Sequence, residues 1–179
     1  MPTWTLPLNW VYVMWVGIAF VAGLVWCSFA EWILHKYIMH RPFKLLPYGY
    51  AHVTSHHDKF GGDDTYHLQE EWQKNHVLFT WREYLLAPTI CSILYVSVEL
   101  LIGKPIWAGC VLATLTYLQL FNSLHWRWHV PGDTWFQRTR FFLWLKERHR
   151  VHHLDMGTNF NLILPFGDLL FGTFVTRKK

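Results

Sequence analysis

Charge is what this sequence has least of. Asp, Glu, Lys and Arg make up 16% of its 179 residues, against about 25% in a typical soluble domain. None of the four occurs between Met1 and Ala30. Cysteine is also scarce. Cys27, Cys91 and Cys110 all lie in apolar stretches, which points away from a disulfide framework or a zinc ribbon and toward small packing residues. The zinc-protease string H-E-x-x-H, the phosphate-binding loop G-x4-G-K-[ST] and the nucleophile elbow G-x-S-x-G are all missing, so the usual signatures of those chemistries are absent. No low-complexity linker is present, and no repeat apart from a pattern of histidines.

What is abundant is apolar and aromatic. Hydrophobic residues reach 52%, with Phe 13, Trp 12 and Tyr 8. Three stretches read as membrane spans. Leu8 to Ala30 gives about 35 Å of helix at roughly 1.5 Å per residue, enough to cross a bilayer. Tyr84 to Ile102 is interrupted only by Glu99, and Ile106 to Trp126 carries no charge. Gly103-Lys104-Pro105 separates the last two into a helical hairpin. Trp10, Trp81, Trp107 and Trp126 stand at span ends, where indole rings favour the headgroup region. Met1 to Ala30 makes a poor signal peptide, because it has no basic start and its apolar run is too long.

With three spans, 15 of the 16 Lys and Arg residues fall on one side and Lys104 alone on the other. The positive-inside rule makes the crowded side cytoplasmic. The expected architecture is therefore all-α: one integral membrane unit over residues 1–179, with about three transmembrane helices (8–30, 84–102, 106–126) and a cytoplasmic helical cap. Gln69 to Trp81 and Thr134 to Arg150 read as interfacial helices, Pro42, Pro47 and Gly49 as turn markers, and 159–174 as a re-entrant or surface segment. Nothing in the pattern suggests a nucleic-acid partner.

Twelve histidines match the whole acidic count, and ten fall into four groups. His35 and His40 form H-x4-H. His52, His56 and His57 form H-x3-H-H. His125 and His129 form H-x3-H, and His149, His152 and His153 form H-x2-H-H. The topology drawn from Lys and Arg puts all four groups on one membrane face. On an α-helix, residues four apart share a face, so His52/His56, His125/His129 and His149/His153 can each point one way. Adjacent histidines diverge by about 100°, and His35 and His40 by about 140°, which suits different ions or a helix end. Ten imidazoles are too many for one ion and fit two, with positions left for water or substrate. Imidazole suits iron, zinc, copper or nickel. His67 and His76 stand outside the pattern.

These four motifs, in this order, resemble the histidine boxes of the fatty acid hydroxylase superfamily, also called the sterol desaturase family, whose members are integral membrane non-haem di-iron oxygenases. The likeness runs from about Glu31 to Phe174 and includes the ending NFNLILPFGDLLFGT at 159–173. It implies that His35, His40, His52, His56, His57, His125, His129, His149, His152 and His153 ligate two iron ions, with zinc a substitute in overexpressed protein. Glu31, Asp155, Asn159 and Asn161 are candidates to accept the outer ring N–H of a ligand. The implied reaction uses O2 and external electrons to hydroxylate or desaturate a C–H bond of a fatty acyl or sterol-like lipid drawn from the bilayer. No cytochrome-b5-like segment precedes the boxes, so a separate donor of ferredoxin, rubredoxin or cytochrome b5 type is expected. The setting would be a bacterial inner membrane or the endoplasmic reticulum membrane. Trp32, Tyr37, Trp126, Trp128 and Phe160 are expected to line the substrate cavity or join the interfacial belt.

Two other readings compete. HKYIMH also resembles the first box of bacterial carotenoid ring hydroxylases, but their second and third boxes are spaced differently. A non-enzymatic membrane metal store or transporter would call for ionisable residues within the spans, and these have almost none.

Overall fold

The computed structural model describes residues 9–41, 52–76 and 79–176, and every regular element among them is helical. The first seven positions, Leu8 and the turn markers Pro42, Pro47 and Gly49 lie outside the described residues. Helix α1 (Trp10–Leu34) starts at Asn9, whose side chain accepts the amides of Val11 and Tyr12 at 3.1 and 3.3 Å. This satisfies two of the N–H groups a helix start leaves free. Val11, Met14, Ile18 and Val21 face outward and Ala19, Gly23 and Cys27 inward. The chain then widens into a π-helical turn, His35–Met39, closed by the His40 amide donating to the His35 carbonyl five residues back at 3.1 Å.

Helix α2 (Trp81–Ile102) opens on a capping box. The Thr80 hydroxyl accepts the Arg82 amide while Glu83 accepts the Thr80 amide at 2.6 Å, a reciprocal closure of orphan donors. It ends at Gly103, left-handed at φ 63°, where any side chain would be strained. Helix α3 (Trp107–His129) returns antiparallel. Glu99, near the end of α2, accepts the amides of Ile106 and Trp107 at 2.8 and 2.6 Å. Its carboxylate thus closes the hairpin by capping α3.

The central element is α3, with α1 and α2 both packed on it. Small residues set the α1–α3 distance. A methyl group on Gly23 would come within 2.8 Å of Ala113 Cβ, and one on Gly109 within 2.9 Å of the Phe20 amide nitrogen. Such close approach is how helices associate where apolar burial against lipid gains little.

Among the described residues, two helices are long and apolar enough to cross a membrane: α1 with its π-helical continuation, Trp10–Met39, and α2. The segment expected as the third span forms the helix α3, 23 residues long, but it is not apolar enough to meet the same measure. Gln119, Asn122, His125, Arg127 and His129 make its second half polar.

The rest of the chain is built of short pieces. Single 3-10 turns occupy Asp64–Tyr66 and Phe136–Arg138, and a six-residue 3-10 helix occupies Glu71–His76. Among the described residues, the interfacial helix expected over Gln69 to Trp81 is represented by the 3-10 helix Glu71–His76, with Trp81 already opening α2. Helix α4 (Arg140–Leu154) begins six residues later than the sequence suggested, because Thr139 caps it by accepting the Phe142 amide at 3.2 Å. The segment after it contains only the five-residue α5 (Phe166–Leu170). It folds back along α1, where Ser28 donates to the Leu164 carbonyl at 2.5 Å and Trp32 to the Thr173 hydroxyl at 2.9 Å.

Candidate metal centre

The ten box histidines converge from four parts of the chain. His35 and His40 stand at the two ends of the π-helical turn. His52, His56 and His57 come from a second π-helical segment, His52–His57. His125 and His129 lie one turn apart at the end of α3, and His149, His152 and His153 in the last turns of α4. They sort into two groups of five. One holds His35, His40, His52, His57 and His152, and the other His56, His125, His129, His149 and His153. Within each group the ligand atoms lie within 4.8 Å of one another.

The pairing differs from the α-helical expectation at two places, for one reason. π-Helical backbone bonds i to i+5, so residues five apart are brought together. His35 joins His40, and His52 joins His57, while His56 turns to the other group. His125/His129 and His149/His153 sit on true α-helix and stay together. The adjacent pairs His56/His57 and His152/His153 are each split between the groups.

The nitrogens that meet are all Nε2. His35 and His52 approach to 3.2 Å, His57 and His52 to 3.2 Å, and His152 and His40 to 3.1 Å. In the second group His125 stands 3.1 Å from His56, His56 3.2 Å from His153, and His149 2.9 Å from His129 and 3.0 Å from His153. Neighbouring ligands at right angles around an ion with bonds of about 2.1 Å stand about 3.0 Å apart. The spacing suits a shared cation.

The outer nitrogens support this. The Nδ1–H of His35 donates to the Phe160 carbonyl at 2.6 Å, that of His152 to Thr158 at 2.7 Å, that of His129 to Tyr66 at 2.7 Å, and that of His153 to Phe60. A carbonyl only accepts, so each of these rings carries its proton on Nδ1 and turns a lone pair inward. The donor set fits divalent transition-metal ions of borderline softness. The Nδ1 atoms of His57 and His149 are buried without a hydrogen-bond partner.

Burial keeps these rings neutral and therefore able to ligate. It lowers His152 to about 4 and His40 to about 3, the latter also through the neighbouring His152. His52, His57, His149 and His153 fall well below the ordinary imidazole value, chiefly by burial and then by the mutual repulsion of nearby charged rings.

The four polar candidates beside the boxes hold the frame. The Glu31 carboxylate accepts from the Tyr117 hydroxyl at 2.7 Å, Asn161 Nδ2 at 3.0 Å and the Leu162 amide at 3.0 Å. Asn159 bonds Val175 and the Arg148 carbonyl, and Asn161 bonds the Ser28 carbonyl, Glu31 and the Asp168 amide. Asp155 accepts the Gly157 amide in the turn after α4. The histidine partners found instead are main-chain carbonyls, which no residue type announces.

Beside the first group lies an apolar cleft of about 120 Å3. Its walls are α1 from Trp26 to Leu34 with Met39 of the π-helical turn, α2 at Ala87, Cys91 and Tyr95, and α3 at Thr114, Tyr117, Leu118 and Phe121, with Phe79 at one corner and His35 at its head. Packing of α1 and α2 is chiefly against α3 rather than each other, which leaves the cleft between them. None of the five aromatics expected to line it does so. Trp32 stacks on Phe171, Trp128 lies against His149, and Phe160 faces His35, His40 and His152.

A family model described as "Fatty acid hydroxylase" matches residues 20–173. No curated protein and no solved structure matches the chain.

Proposed function

Because the chain belongs to the fatty acid hydroxylase family, we propose that it is a membrane-bound oxygenase that oxidises an unactivated C–H bond of a lipid. The observation that carries this reading is the pair of five-histidine groups, the first of which meets the head of an apolar cleft at His35. In this reading α1, α2 and α3 all cross the bilayer, α3 with its polar end in the histidine cluster. The cap of α4, α5 and the box-two segment lies on the cytoplasmic side with most of the Lys and Arg. Each group holds one ion, iron in the native protein, and electrons arrive from a separate donor protein.

Two bound iron ions would supply the redox chemistry that reduces O2 and attacks the C–H bond. The protein's own part is orientation and exclusion. The carbonyls of Phe60, Tyr66, Thr158 and Phe160 fix four rings with lone pairs inward. The cleft takes an alkyl segment from the lipid side and sets it beside His35, and its apolar walls keep water away from the reacting carbon. A fatty acyl or sterol-like chain is the favoured substrate. The carotenoid alternative has no separate structural support.

The test is expression of wild type and His152→Ala with an electron donor in iron-replete cells, followed by mass spectrometry of extracted lipids. A wild-type-dependent product heavier by one oxygen identifies hydroxylation, and one lighter by two hydrogens desaturation. No difference across fatty acids, sterols and carotenoids in iron-loaded protein would overturn the reading.

A further inference from the structure

The two histidine groups draw their outer support from different parts of the chain. In the first group, His35 and His152 donate to Phe160 and Thr158, both in the segment after α4. In the second, His153 and His129 donate to Phe60 and Tyr66, both in the loop after box two. No supporting carbonyl is shared among these four.

Each platform has its own anchor. The C-terminal one hangs on Asp168, which is fully buried. One of its carboxylate oxygens accepts the Phe160 amide at 2.9 Å and the Thr173 hydroxyl at 2.7 Å. The other accepts the Asn161 amide at 2.9 Å and lies 3.3 Å from Arg148 Nη2. The peptide carrying the His35 acceptor is thereby pinned from both sides. The box-two loop is held separately, through the Asp63–Thr65 turn and Arg150 donating to the Gly62 carbonyl at 2.8 Å.

Resting on the reading that each group holds one ion, we infer that the two ions are supported independently, and that Asp168 is a positioning residue for the ion of the first group alone. It touches no histidine; it acts through the Phe160 peptide. Replacement by Asn keeps the shape but turns an NH2 group toward donors, so at least one of the amides it now receives loses its acceptor, and the buried Arg148 loses its counter-charge while keeping its bond to the Asn161 carbonyl. His35 then loses its fixed orientation, while the second group keeps its loop.

The experiment is metal counting by elemental analysis on detergent-purified, iron-reconstituted protein. Wild type should hold two ions per chain, and His152→Ala and His149→Ala one each. Asp168→Asn should also hold about one. Combining it with His152→Ala should change nothing further, and combining it with His149→Ala should empty both positions. Thr173→Val, which deletes one bond to Asp168 and the one received from Trp32 but leaves the charge in place, should make one of the two ions leave faster to a chelator. This milder variant decides the matter if Asp168→Asn does not yield folded protein. Equal loss of both ions, or full retention in Asp168→Asn, would overturn the inference, since a merely structural role loosens both positions together. Wild type holding fewer than two ions would instead overturn the functional reading on which it rests.

Discussion

At the scale of single residues, the site depends on imidazoles kept neutral by burial. Their folded-state values lie below the ordinary 6.5, about 4 for His152 and about 3 for His40. The unfolded chain therefore binds more protons than the folded one as soon as the pH drops below 6.5. Stability must rise with pH through this window and be lost as pH falls. At pH 5 each such ring costs about 2 kcal/mol, taking 1.36 kcal/mol per pH unit. Metal-free protein should melt at a clearly lower temperature at pH 5 than at pH 7 and change little above pH 7. Equal melting at pH 5 and 7 would contradict the burial argument. Glu31 makes a second residue-level case. Its carboxylate receives three donors and offers none, so Glu31→Gln must set an NH2 against a donor. The expected cost is about 1–3 kcal/mol of stability, read by thermal unfolding, with no new product chemistry.

Among the elements, the π-helical turns decide which histidines meet. H-x4-H is a poor pair on an α-helix and a good one on a turn bonded i to i+5. Deleting Tyr37 shortens His35–His40 to an i, i+4 spacing and should regularise the turn, keeping two ions bound. Inserting an alanine at the same point should remove one ion, as counted by elemental analysis. The α1–α3 seam carries a different prediction. At Gly109 any side chain runs into the backbone of α1 at Val16 and Phe20, so Gly109→Leu should push the helices apart and give protein that aggregates on size exclusion. Gly17, with open space around it, should tolerate the same change. A well-behaved Gly109→Leu would show that this seam does not set the packing.

These elements also mark how far the sequence could be read. The apolar runs and the box histidines were legible because composition and spacing carry them directly. So was the split of adjacent histidines, which follows from helix geometry. The grouping of His52 with His57 was not, since nothing in the residue types there distinguishes a π-helical from an α-helical turn. The carbonyls that orient the rings were invisible for a deeper reason: every residue has one, and only tertiary placement selects Phe60 or Phe160. Glu99 stood in the sequence only as the charge interrupting a span and is a cap, a role that needs the hairpin closed before it exists.

For the whole molecule, outward-facing apolar side chains dominate two helices. On α2 only Tyr95 is buried, which leaves a surface that water would not tolerate uncovered. The proposed topology places Lys104 and the histidine cluster on opposite sides of the bilayer. A membrane-impermeant thiol reagent should therefore label Lys104→Cys in intact cells, or in vesicles that present the non-cytoplasmic side. Lys146→Cys should react only after permeabilisation, and the reverse pattern would invert the arrangement.

If the chain oxidises a lipid as proposed, the gap left between α1 and α2 has a kinetic consequence. A compartment filled from the side samples molecules already dissolved in two dimensions. The quantity that governs turnover is then the mole fraction of substrate among its lipid neighbours, not its solubility in the surrounding buffer. Adding inert phospholipid to a reconstituted preparation should slow the reaction just as dilution slows a soluble enzyme, although nothing in the aqueous phase has changed.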